Sequence, residues 1–105
     1  MEQTTSYYIY ILWSTSLKKY YVGFTKNVKA RVRQHNTSNL NTFTSKHRPW
    51  TYKAHFKVNG QKSDALGIEK FIKSQKSQKF IERLIEAESF KGKLAQLVRV
   101  PKLRD

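Results

Sequence analysis

The sequence predicts an α+β fold, a small three-stranded antiparallel sheet with flanking helices in the order β-β-α-β-α-α. Three observations lead there. Short runs rich in β-branched and aromatic residues stand at 7–13 (YYIYILW), 20–24 (YYVGF) and 50–58 (WTYKAHFKV). Between and after them come stretches with apolar residues at helical spacing. The hydrophobic fraction is 38%, enough for one small core, which argues against whole-chain disorder.

Each element has its own signal. The polar turn 14–19 joins the first two runs as a hairpin. Gly23 weakens a strand unless a bulge or a close approach needs the missing side chain. Thr25 or Asn27 can cap a helix over about 28–36, with Val28 and Val32 on one stripe and Arg31 and His35 on another. Residues 36–49 read as a long polar loop containing Lys46, His47 and Arg48. In the third strand Trp50, Tyr52, Ala54, Phe56 and Val58 fall on one face by alternation. Asn59-Gly60 is a turn. Ser63 can cap a helix over about 64–75, with Asp64 complementing its dipole, and Ser77 a further helix to about Glu88. Phe43, Trp13, Trp50 and Phe56 read as core. No repeat or linker divides the chain, so 1–105 reads as a single domain with its core at about 7–88 and a basic C-terminal tail at 89–105.

The charge balance narrows the function classes. Lys and Arg number 21 against 7 Asp and Glu, a net charge of +14. A polyanionic partner would relieve the self-repulsion of such a chain, and nucleic acid is the first candidate. Cysteine is absent and the three histidines match no zinc spacing, which excludes disulfide scaffolds, Cys zinc sites and thiol nucleophiles. No apolar run approaches a membrane span and the N-terminus does not read as a signal peptide, so the expected location is cytoplasmic, including the nucleoid, with no membrane partner. Between residues 3 and 81 the only acids are Asp64 and Glu69, so a metal site has few carboxylates to draw on.

An ordered set of motifs carries a resemblance. Tyr8-Ile9-Tyr10 is followed by Tyr21-Val22-Gly23 and by the helical segment KNVKARVRQHN, in which Arg31 stands ten residues after Tyr21. FTSKHRPW and SDALGIEKFIKSQKSQKFIERLI follow, with Glu69 inside the latter. The chain resembles the GIY-YIG nuclease family over roughly residues 7–86. It looks most like the small stand-alone, single-domain members and is also similar to the N-terminal nuclease domain of the repair excinuclease. Tyr8 stands where the name-giving glycine does, Phe24 where some members carry lysine, and the C-terminal asparagine of larger members has no clear counterpart.

The resemblance implies a divalent-metal-dependent endonuclease that hydrolyses DNA phosphodiesters, with structure-specific roles in repair or recombination. Glu69 would hold one Mg²⁺ or Mn²⁺. Arg31 would neutralise developing charge on the phosphate. Tyr10 and Tyr21 would lie near the scissile phosphate, and one of them would activate or position the attacking water. Gly23 would admit close approach beside Tyr21. His35 would bond the phosphate or orient a tyrosine, and Lys73 would contact phosphate or pair with Glu69. Lys26, Lys29, Arg33, Lys46, His47 and Arg48 would track the backbone with little base specificity. DNA is the expected partner and RNA the second, with a homodimer or a protein partner supplying specificity. Two other classes compete: a nucleic-acid-binding module of the same fold without catalysis, and a basic structural protein of a ribonucleoprotein particle. Residue by residue the plain readings also stand. The tyrosines are good strand formers, Glu69 can be a solvated partner of Lys73 or Lys70, and His35 can be a packing histidine.

Overall fold

The computed structural model describes residues 5–37 and 43–101. Strand β1 (Tyr7–Ser14) turns at 15–18 into β2 (Lys19–Thr25), and α1 (Val28–Thr37) follows. A short helix α2 (Phe43–Lys46) precedes β3 (Trp50–Val58). Helices α3 (Lys62–Ser74) and α4 (Gln78–Glu86), a 3-10 turn at 92–94 and β4 (Leu97–Arg99) complete the order. The sheet is antiparallel with strand order β2-β1-β3-β4. It therefore has four strands, where the sequence predicts three. Among the described residues no helix is long and apolar enough to cross a membrane.

The fourth strand was illegible because it is three residues long. It forms by tertiary pairing: Phe56, Lys57 and Val58 of β3 present an open edge, and Arg99, Val98 and Leu97 pair with them. Leu97 joins the core and Phe90 meets Phe56 edge-on at 5.3 Å between ring centroids. The packed core thus runs past residue 88, into the segment expected as a basic tail.

Alternation along β1 splits its side chains between two cores. Ile9 and Ile11 pack with Val22, Ala65, Ile68, Ile72 and Leu84 on the α3/α4 face. Tyr10 and Leu12 pack with Val28 and Trp50 on the α1 face. The single face expected for β3 is corrected here. Ile11 pairs with Ala54 but Leu12 pairs with Tyr52, so a bulge at Lys53 shifts the register by one residue. Such a shift exchanges faces. Trp50 and Tyr52 therefore join the α1-side core, whereas Ala54, Phe56 and Val58 join the other.

The caps follow simple chemistry. The Asn27 side chain accepts the Ala30 N–H at 3.0 Å, which starts α1, and Ser77 Oγ accepts the Phe80 N–H at 3.1 Å, which starts α4. Helix α3 begins earlier than predicted. Gln61, not Ser63, is its N-cap, and the Asp64 carboxylate accepts the Gln61 N–H at 2.7 Å. The expected loop 36–49 holds α2; its residues 38–42 lie outside the described residues. Phe43, expected in the core, is 55% exposed.

Candidate active site

Edge strand β2 positions the site. Tyr21 and Gly23 face α1, beside Tyr10 on the neighbouring strand. Because β2 has no further strand outside it, α1 and α3 both reach its open side. A cavity of about 450 Å³ lies there, with Tyr10, Tyr21, Arg31, Lys26, Lys62 and Glu69 among its lining residues. Arg31 comes from the first turn of α1, Glu69 from the middle of α3.

Gly23 is the position where a missing side chain is required. It pairs with Tyr10 across the strands, and a Cβ there would come within 2.6 Å of Tyr10 Cζ. The tyrosine ring thus fills the space a side chain would take. Tyr10 itself is fully buried, and its Oη shares a 2.7 Å hydrogen bond with His35 Nε2. Two rings pack beside this pair, Tyr21 at 4.9 Å from the His35 ring and Trp50 at 5.8 Å from that of Tyr21.

Burial pushes the Tyr10 phenol well above its ordinary value, with Tyr21 and Glu69 adding to the rise and Arg31 opposing it. Burial also lowers His35 from 6.5 to about 4, helped by Arg31 and Arg48. Both partners of the hydrogen bond are therefore neutral near pH 7. Tyr10 keeps its proton, which makes it a fixed hydrogen-bonding group rather than a ready phenolate.

Glu69 is the one carboxylate among the described residues that line the cavity, and its side chain is 15% exposed. Lys73, one turn on, donates to Glu69 Oε1 at 3.2 Å, and its ammonium also lies 5.3 Å from the Tyr21 ring centroid. Among the described residues no group of three or more His, Asp or Glu side chains could hold a metal ion by itself. A single carboxylate still suits Mg²⁺ or Mn²⁺, ions that keep several waters and take remaining oxygens from a substrate phosphate.

The expected residues divide. Tyr10, Tyr21, Gly23, Lys26, Arg31 and Glu69 meet at the cavity, with His35 bonded to Tyr10 and Lys73 paired with Glu69. Lys29, Arg33, Lys46, His47 and Arg48 do not line it. The His47 ring lies tilted against Phe43 at 4.8 Å, and Arg48 Nε donates to the His35 carbonyl at 2.7 Å, bracing the end of α1. Lys62 also lines the cavity, and its spacing of seven residues from Glu69 puts both on one stripe of α3, a signal that local sequence patterns do not mark as functional.

Fold and site together define a nuclease-type domain. The GIY-YIG catalytic domain family matches residues 6–82, and the chain belongs to that family. The family is one of endonucleases, generally dependent on a divalent metal. No curated protein matches the chain.

Proposed function

We propose that the protein is a divalent-metal-dependent endonuclease that hydrolyses DNA phosphodiester bonds in the cavity beside β2, acting on structured DNA in repair or recombination. The observation that carries this reading is the convergence of Tyr21, Arg31 and Glu69, from three separate elements, on one basic cavity. The resemblance to the nuclease domain of the repair excinuclease points to the same substrate class.

The geometry supports the following roles. The Arg31 guanidinium holds the phosphate and neutralises the charge that develops in the transition state. Lys26 and Lys62 hold the flanking backbone. Tyr21, on the cavity wall, orients the attacking water and is the tyrosine we assign to its proton. Tyr10 stays protonated and fixes the neighbouring ring through packing and its bond to His35. Glu69 is the residue that would hold Mg²⁺ or Mn²⁺, which supplies charge neutralisation at a phosphate oxygen when bound.

The test is nicking of supercoiled and branched DNA with Mg²⁺ or Mn²⁺ by the wild type, Glu69→Gln and Arg31→Ala. Loss in both variants is expected; equal nicking by all three overturns the assignment. The Lys73 ammonium on Glu69 favours a second reading, a nucleic-acid-binding module without catalysis. Salt-sensitive binding undiminished by Glu69→Gln, with no cleavage across metals and substrates, would select it.

A further inference from the structure

A second groove opens on the other side of Tyr21. It has a volume of about 400 Å³ and faces α3 and α4, whereas the catalytic cavity reaches towards α1. Tyr21 lines both, so one side chain separates the two. Three lysines from three elements line the groove: Lys19 at the start of β2, Lys73 at the end of α3 and Lys76 in the turn before α4. No carboxylate among the described residues lines it; Glu82 nearby accepts the Tyr20 hydroxyl at 3.4 Å and Glu69 is held by Lys73.

The β1–β2 turn and the α3–α4 turn, which flank the groove, are tied together. Gln78 Nε2 donates to the Lys18 carbonyl at 3.4 Å, which links the β1–β2 turn to the start of α4. Lys18 and Lys76 have φ of 56° and 48°, the left-handed region that residues with a side chain seldom adopt. Meanwhile Arg48 and His47, expected on the DNA track, are engaged with the His35 carbonyl and Phe43. Lys19, Lys73 and Lys76 thus add positive charge along β2, beside the cavity.

We propose that the Lys19–Lys73–Lys76 groove is a second DNA backbone site, holding consecutive phosphates next to the scissile one so that the strand runs along edge strand β2. This rests on the nuclease reading above. Lysine is a point-charge phosphate binder, and such contacts give affinity without base preference.

The test is a salt titration of binding to a labelled DNA duplex without divalent metal, read by anisotropy. Wild type is compared with Lys19→Gln/Lys76→Gln and with the charge-matched Lys57→Gln/Lys91→Gln outside the groove. The groove pair is expected to reduce the slope of log Kd against log salt by about 2, at about 0.9 per phosphate contact, and the matched pair by less than about 1. Equal slopes for the two variants overturn the proposal, because net charge alone would then explain both. Lysine acetylation of the wild type, mapped by mass spectrometry, gives a second reading. DNA should protect Lys19 and Lys76 several-fold and leave Lys57 and Lys91 unchanged; no protection overturns the site. Nicking with Mg²⁺ is measured in parallel. Its absence with the groove effects intact sinks the nuclease reading and leaves the groove standing.

Discussion

Tyr10 Oη and His35 Nε2 lie 2.7 Å apart in the interior, joining β1 to the last turns of α1 across twenty-five residues of sequence. Both groups are neutral near pH 7, so the bond is a positioning contact between two elements that each carry a site residue. Removing one partner leaves the other buried and unpaired, at a cost of about 1–3 kcal/mol. Tyr10→Phe and His35→Ala should each lower the denaturant midpoint by that order, and the double variant by less than their sum. Strict additivity in the cycle would show that the pair is not coupled.

Gly23→Ala tests the close approach from the other side. The new Cβ would meet the buried Tyr10 ring, which has no room to retreat from its place against His35 and Tyr21. Overpacking of this kind destabilises by about 1–3 kcal/mol. Thermal unfolding should show a lower Tm, and nicking should fall further than stability does, because the displaced ring abuts Tyr21. A variant as stable and as active as the wild type would mean that the strands spread at no cost.

Much of this arrangement was legible in the sequence. The three long strands and the helix caps at Asn27 and Ser77 follow from alternation, apolar spacing and short polar side chains, all local signals. The meeting of Tyr10, Tyr21, Arg31 and Glu69 was legible only through the ordered motifs, since no local rule brings residues from β1, β2, α1 and α3 together. What escaped reading depended on contacts between distant segments. Strand β4 exists because β3 offers it an edge, and the bulge at Lys53 reassigns Trp50 and Tyr52 to the other core. Arg48 looked like a surface cation because nothing in the sequence marks the His35 carbonyl as its acceptor.

Acid should destabilise the fold through His35. Its folded pKa is about 4, against 6.5 ordinarily, so on acidification the unfolded chain takes up the proton first. The His35 contribution is whole above about pH 6.5, falls as pH drops through that window, and is fully lost below about pH 4. The loss is about 3 kcal/mol at most. His55, also lowered by burial, acts in the same direction. Denaturant midpoints measured across this range should fall less steeply in His35→Gln; an unchanged slope would assign the acid sensitivity to other groups.

Arg31 and Lys62 share the cavity but should fail differently. Arg31 is assigned to charge that develops in the reaction, so Arg31→Lys should reduce nicking by about 10²–10³-fold, since an ammonium cannot reproduce the guanidinium geometry. Lys62, at the start of α3, is assigned to backbone binding alone. Lys62→Gln should weaken binding uniformly across DNA sequences and reduce the salt slope by about 1. If both substitutions changed only the salt slope, Arg31 would be a binding residue and not a catalytic one.

Arg48 separates structure from charge in the segment before β3. Its Nε donates to the His35 carbonyl at 2.7 Å, close to the backbone that aims the imidazole at Tyr10. Arg48→Lys keeps the positive charge but loses the guanidinium that makes this bond. The expected result is a stability loss of about 1–2 kcal/mol with a DNA salt slope unchanged from the wild type. Lys46→Gln nearby removes an exposed charge and should leave stability within about 0.5 kcal/mol. Chemical unfolding of both variants checks the two stability outcomes, and an anisotropy titration of Arg48→Lys checks the salt slope. An Arg48→Lys protein as stable as the wild type would return Arg48 to the DNA-contacting surface that its sequence position first suggested.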